Sequence, residues 1–75
     1  MIEPSTERSI ALRGEYITLA QAIKAIGLAS TGGQAKQLVR QGQIWVNGKP
    51  VGQPGRKLRS GDRFGKAGGP EWTII

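Results

Sequence analysis

The chain has 75 residues, eleven of them Lys or Arg, five Asp or Glu and none His or Cys, so its formal net charge is +6. A chain of this length forms one small domain without a deeply walled active site, and the missing His and Cys exclude the usual metal sites, Ser-His-Asp triads and thiol chemistry. No metal or other cofactor is therefore expected. With no disulfide, no signal-peptide pattern and no apolar stretch of about 18 residues, we expect a soluble cytoplasmic protein that does not contact a membrane.

The N-terminal part of the chain has weak structural signals. Residues 1–8 are polar, contain a proline and lack periodicity, which predicts a flexible tail before a single domain over residues 9–75. Ile10 and Leu12 then alternate with small and polar residues, a pattern typical of a short strand.

Two short helices follow, and each has its own start and stop signals. Thr18 is a good N-cap, with Gln21 in the capping-box position, and Gly27 ends the first helix. Thr31 begins the second helix, which ends at Gly42. Because two short amphipathic helices are unstable alone, we expect their apolar faces to pack on each other and on a sheet.

The rest of the chain indicates β-structure. Ile44 and Val46 alternate with polar neighbours, and Asn47-Gly48 is a strong hairpin signal because both residues tolerate positive φ. Pro50 cannot donate to a strand ladder, which places the return strand at a sheet edge. Leu58 is the inward candidate of a cationic segment, and short strands are predicted at Arg63-Phe64 and Trp72–Ile75. The predicted fold is therefore α+β, with two short packed helices against a small, mostly antiparallel β-sheet.

The charge is concentrated in the middle of the chain. Residues 24–66 contain nine basic residues and one acidic residue, Asp62, whereas the segments on either side each sum to −1. Lys36 and Arg40 are four residues apart and share a helix face, next to a helix N-terminus that begins with two glycines. Clustered cations of this kind favour a polyanion such as nucleic acid.

Two other residues, Trp45 and Asp62, are candidates for a site. Trp45 points away from the core if Ile44 and Val46 point into it, so it either stacks on an unpaired base or covers one end of the core. Asp62 lies in a Ser-Gly-Asp turn, where Asp usually binds local backbone. No carboxylate pair has a spacing that suggests acid–base catalysis, and Thr31-Gly32-Gly33 lacks the ending of a phosphate loop. We therefore expect no enzymatic activity and no small-molecule substrate.

The order of these elements resembles the S-four (S4) RNA-binding domain of ribosomal small-subunit protein four, pseudouridine synthases and tyrosyl-tRNA synthetases. The resemblance covers Thr18 to Phe64 and is strongest with small stand-alone bacterial S4 proteins, through the segments Glu15–Leu19, Thr31–Lys36 and Gly55–Asp62. The pieces of the shared pattern are Thr31, Ala35-Lys36, Leu38-Val39, Gly42, Val46-Asn47-Gly48 and Gly61-Asp62.

The resemblance implies a helix pair (the αL-type motif) that docks on structured RNA, ribosomal or tRNA-like. Pro50 and the basic loops disfavour pairing between sheet edges, so we expect a monomer. Many family members have Arg after the capping residue; here Gly32 stands there, so we expect a backbone contact at that point. Together with the charge pattern, the resemblance predicts an RNA-binding surface made of Thr31, Gly32, Gly33, Gln34, Lys36, Gln37, Arg40, Lys49, Arg56, Lys57 and Arg59.

Two other functions fit the same residues. Two short helices with a tight connector also fit a helix-turn-helix DNA binder. Alternatively, the basic face could meet an acidic, ribosome-associated protein, which would make the chain an adaptor.

Overall fold

The computed structural model describes residues 8–75, so the predicted tail falls outside it apart from Arg8. The two helices are α1 (Leu19–Ala25) and α2 (Gly32–Arg40). The strands of the described residues are β1 (Ser9–Ile10), β2 (Ile17–Thr18), β3 (Ile44–Val46), β4 (Lys49–Pro50), β5 (Lys57–Leu58), β6 (Arg63–Lys66) and β7 (Glu71–Ile74). This arrangement confirms the predicted α+β class.

Helix α1 has the predicted capping box. The Thr18 hydroxyl accepts from the Gln21 amide at 3.2 Å, and the Gln21 side chain accepts from the Thr18 amide at 3.0 Å. Gly27, just beyond the helix, has φ +83°, a conformation that favours glycine and ends the helix.

Helix α2 begins in a similar way, with one difference. The Thr31 hydroxyl accepts from the Gln34 amide at 3.1 Å, as predicted. The Gln34 side chain, however, accepts from the Ser30 amide at 2.8 Å, one residue before the N-cap, rather than from Thr31. Both contacts hold the connector against the first turn of α2.

Five strands form the main sheet, in the order β1-β7-β6-β3-β4. Its strand pairs are antiparallel except for β1 and β7, which are parallel. Asn47 and Gly48 form the β3–β4 turn with φ of +52° and +83°, and Pro50 lies on an edge strand, as predicted. Strand β1 ends at Ile10 instead of continuing to Leu12, although the Leu12 amide still donates to the Ile75 carbonyl at 2.8 Å.

Strands β2 and β5 form a separate two-stranded antiparallel sheet beside α1. Residues Ile17 and Thr18 pair there with Leu58 and Lys57, respectively. This pairing places residues 56–59, hereafter the cationic segment, beside the start of α1.

The core lies between the helices and one face of the main sheet. Ile44 and Leu58 are fully buried, and Val46 is nearly so, as the alternation predicts. Trp72 is half-buried and packs against the core, whereas Trp45 faces outward and is 39 % exposed. Trp45 therefore lies on the sheet face opposite the helices. The other buried core residues are Leu19, Ala22, Ile23, Ala29, Ala35, Val39, Phe64 and Ile74.

Candidate nucleic-acid interface

The outward face of α2 carries a continuous polar stripe. Ala35 and Val39 are fully buried and fix which side of the helix faces the core. Residues at helical spacings of three and four positions then share the opposite, exposed side. These residues are Gly33, Lys36, Gln37 and Arg40.

The first turn of α2 presents free backbone donors beside this stripe. Among residues 8–75, the amides of Gly32 and Gly33 have no hydrogen-bond acceptor, while the Gln34 amide is bound by the Thr31 hydroxyl. A Cβ atom on Gly32 would meet no atom within 4 Å, and neither glycine has positive φ. Neither the backbone conformation nor internal packing therefore requires glycine at these positions. What the glycines do provide is an unobstructed approach to helix N-terminal amides, where anions bind favourably.

The start of α1 differs in this respect. Its first amides are already occupied: the Leu19 amide donates to the Arg56 carbonyl at 2.8 Å and the Ala20 amide to the Pro54 carbonyl at 3.0 Å. These bonds, with the β2–β5 pairing, fix the backbone of residues 54–58 and leave the side chains of Arg56 and Lys57 exposed. Of the two helix N-termini, only that of α2 is open to a ligand.

Two cations of this segment converge on Tyr16, a residue that the sequence analysis did not assign to the site. The Lys57 Nζ atom lies 4.8 Å from the centre of the Tyr16 ring, and the Arg59 guanidinium carbon lies 6.0 Å from it. Both distances are within the range of cation–π attraction. The ring is 42 % exposed, so both cations meet it at the surface of the molecule. Its place in the segment Glu15–Leu19, part of the family resemblance, was the available signal.

Asp62 and Asn47 connect the hairpin turn to the cationic segment. The Asp62 carboxylate accepts from the Arg59 amide at 2.8 Å and from the Asn47 side-chain amide at 3.1 Å, and the Asn47 side-chain oxygen accepts from the Arg63 amide at 2.9 Å. The hydrogen bond from the Arg59 amide is the main cause that lowers the pKa of Asp62, against a smaller opposing effect of desolvation. The Asn47 hydrogen bond and the charges of Arg56 and Arg59 lower it further.

All eleven residues predicted for the surface are exposed. Those from Thr31 to Arg40 lie together on α2 and its cap, and those from Arg56 to Arg59 lie together beside Tyr16 and the start of α1. Lys49 is apart from both groups, on edge strand β4 opposite Val46.

The cations of this surface lack acidic partners in the part of the chain that the structure describes. There, the one ion pair within 4.0 Å joins Arg63 to Glu71, and both of those side chains are more than half exposed. The charges of Lys36, Arg40, Arg56, Lys57 and Arg59 are therefore available to an external anion.

Residues 8–75 give little support for a metal site or a membrane-spanning helix. These residues hold no group of three His, Cys, Asp or Glu side chains that could bind a metal ion. Neither α1 nor α2 has the length and apolar character that a membrane-spanning helix needs.

Comparison with known proteins agrees with this geometry. A sequence model of the S4 domain matches residues 10–70. A relative from Bacillus subtilis (strain 168), named "Probable ribosome maturation protein RlbA", is 38 % identical over 53 residues, which cover 71 % of this chain and 75 % of the relative. The family match over residues 10–70 includes both helices, the cationic segment and the main sheet except β7 and the first residue of β1. The chain belongs to the S4 domain family.

Proposed function

We propose that this protein is a non-catalytic RNA-binding protein that docks on structured RNA through one basic surface. The basic surface consists of Thr31, Gly32, Gly33, Gln34, Lys36, Gln37 and Arg40 from α2 and its cap, and of Arg56, Lys57 and Arg59 from the segment beside it. Lys49 extends it at the sheet edge. The observation that carries the proposal is that these exposed cations have no carboxylate partner within 4.0 Å among the described residues.

The basic surface has the chemistry that an RNA backbone requires. Lys36 and Arg40 lie one helical turn apart, so their charges can reach successive phosphates along a strand, and the free amides at the start of α2 can bind a phosphate oxygen directly. Because most of these groups bind phosphates and not base edges, recognition depends on the shape of a folded RNA more than on its sequence.

The proposed RNA is ribosomal. This step rests on the similarity to the Bacillus subtilis relative, whose name describes a ribosome maturation protein. We propose accordingly that the chain acts in the cytoplasm, as a monomer. Catalysis is not part of the proposal, because Asp62, the acidic residue nearest the basic surface, is held by hydrogen bonds from Arg59 and Asn47.

A charge-reversal variant tests the assigned surface. We expect Lys36→Glu combined with Arg40→Glu to weaken binding to structured ribosomal RNA by about a hundredfold at moderate salt, because two attractive phosphate contacts become repulsive. Both side chains are exposed, so the far-ultraviolet circular dichroism spectrum and the melting temperature should stay close to those of the unchanged protein. Lys24→Glu is the matched control, since Lys24 is an exposed helical cation on α1. Unchanged RNA affinity in the folded double variant would contradict the assignment.

The same binding assay separates the alternative functions. Competition between structured RNA and duplex DNA at equal salt should favour the RNA, and a clear preference for DNA would support helix-turn-helix binding instead. In pull-down experiments, complete RNA digestion should release the partners. Partners that remain bound after digestion would support a protein adaptor.

A further inference from the structure

The main sheet has a shallow depression on the face opposite the helices. Its volume is about 260 Å³, and its lining includes Trp45, Gly48, Gly65, Lys66, Gly68 and Glu71. Trp45 is the one large apolar side chain among the lining residues, and it is 39 % exposed. The basic surface does not include any of these residues.

The strand residues on either side of Trp45 carry no long side chain. Gly65 lies directly opposite Trp45 on the neighbouring strand, and Pro50 lies opposite it on the other side. A Cβ atom on Gly65 would collide with the Pro70 carbonyl oxygen, so the close packing of the following loop requires glycine there. As a result, no side chain from Gly65 stands beside the indole.

The groups around the indole favour a nucleotide over a protein side chain. The lining is rich in glycine, so few side chains obstruct a planar ligand, and Lys66 lies at its margin, at the β6 position opposite Ile44. The one acidic lining residue, Glu71, is paired with Arg63 at 4.0 Å. A single aromatic side chain within a polar rim is too small an apolar patch for a typical protein interface. A planar base can stack on it, as bases do on aromatic side chains of single-strand binders.

We propose that this depression holds one unpaired nucleobase of the bound RNA, stacked on Trp45. The inference rests on the proposed function and extends it to the kind of RNA. The basic surface binds a folded region of the RNA. An unpaired stretch of the same RNA then passes edge strand β4, where Lys49 is exposed, and reaches the opposite face of the sheet. The preferred target is therefore a helix with an adjacent single-stranded segment, and not a blunt duplex.

Fluorescence of Trp45 tests this directly. In a Trp72→Phe variant Trp45 is the one remaining tryptophan, because the chain has two. We expect pentaadenylate to quench its emission saturably and a blunt RNA duplex to leave it nearly unchanged. The quenching should persist when Lys36→Glu and Arg40→Glu are added, since those residues lie on α2 and outside the depression.

Binding measurements provide the second arm. For a structured RNA with a single-stranded extension, we expect Trp45→Ala to weaken binding about tenfold and Trp45→Phe to retain most of it. Ile75→Ala is the control for loss of an exposed apolar side chain, as Ile75 is 60 % exposed at the end of the chain. It should leave the affinity unchanged.

The outcomes separate this inference from the proposed function. If Trp45 emission does not respond to pentaadenylate while Lys36→Glu with Arg40→Glu still weakens binding of structured RNA as expected, the base site is wrong and the basic surface stands. If the emission responds and that double variant binds structured RNA normally, the base site stands and the basic surface is wrong. Quenching by an acidic peptide such as hexaglutamate, without quenching by RNA, would replace the base site with a protein-binding site.

Discussion

Asp62 and Asn47, two residues of the family pattern, use their side chains to hold the backbone around them. Both carboxylate oxygens of Asp62 and the side-chain oxygen of Asn47 accept hydrogen bonds, which tie the backbone of Arg59 and Arg63 to the hairpin turn. The side chain of Arg59 therefore projects toward Tyr16 from a fixed backbone. We interpret the pair as positioning residues for the cationic segment.

The lowered pKa of Asp62 makes this link dependent on pH. A carboxyl group whose pKa is lower in the folded state stabilises the protein above its unfolded-state pKa, near 4, and this stabilisation is lost as the pH falls through the folded-state value. We expect Asp62→Asn to reduce the free energy of unfolding by about 1 kcal/mol at pH 7, because one of its two accepted hydrogen bonds is lost. The difference from the unchanged protein should shrink steadily as the pH falls below about 4. Urea unfolding at several pH values measures it.

Glu71→Gln is the control for this pH dependence. Glu71 forms only an exposed ion pair with Arg63 at 4.0 Å, and such pairs contribute little to stability. A constant difference between Asp62→Asn and the unchanged protein down to pH 2 would show that the carboxylate charge does not stabilise the fold.

At the scale of the element, α2 combines a good cap with two poor helix formers. Glycine in a helix costs about 0.5–1 kcal/mol relative to alanine, and open space surrounds the position of a Cβ atom on Gly32. The Thr31 cap and the Gln34–Ser30 hydrogen bond offset part of this cost. Stability alone would therefore favour alanine, which points to a need for close backbone approach.

Alanine substitution separates the stability of α2 from its function. We expect Gly32→Ala and Gly33→Ala each to raise the free energy of unfolding by about 0.5–1 kcal/mol. Binding of structured RNA should nevertheless weaken, because the added methyl group obstructs a phosphate at the free amides. Chemical denaturation and a binding titration on the same samples measure both effects.

Gly52→Ala is the matched control for the added methyl group. Gly52 is exposed, has no positive φ and has open space around its Cβ position, but it lies in the loop after β4. RNA affinity should be unaffected by this substitution. Tighter or equal RNA binding by Gly32→Ala and Gly33→Ala would rule out the proposed backbone contact.

The elements that could be predicted from the sequence depend on local contacts. The capping threonines, the Asn47-Gly48 turn and the edge position of Pro50 each follow from the conformational preferences of a few adjacent residues, and the structure confirms them. For the surface, helical spacing was enough to place Lys36 and Arg40 on one face.

The features that could not be predicted depend on long-range pairing. The alternation of Ile10 and Leu12 indicated a short strand, but no local pattern indicated that β1 pairs in parallel with β7, more than sixty positions later. Similarly, the two-residue strands β2 and β5 bring Lys57 to Tyr16. Short strands acquire their partners from the packed fold and not from their own sequence. The contacts of Lys57 and Arg59 with the Tyr16 ring therefore could not be predicted from the sequence.

At the scale of the whole molecule, the fold separates two surfaces with different chemistry. The helices and the cationic segment form the basic surface, and the opposite sheet face has Trp45. The core between them is built from the inward faces of both helices and the main sheet. Because the domain is small, with a Cα radius of gyration of 11.5 Å, one RNA of modest size can contact both surfaces.

The net charge of +6 predicts a salt dependence that can be assigned to individual residues. With about four to six phosphates neutralised, the plot of log affinity against log salt concentration should have a slope of about −4 to −5. Lys36→Gln combined with Arg40→Gln removes two contacts and should make the slope shallower by about 2 units. Lys24→Gln removes one charge outside the basic surface and should leave the slope unchanged. Fluorescence anisotropy with labelled RNA at several salt concentrations measures all three proteins. If Lys24→Gln also made the slope shallower, by about 1 unit for its single charge, RNA would be responding to the overall charge of the molecule and not to the stripe on α2.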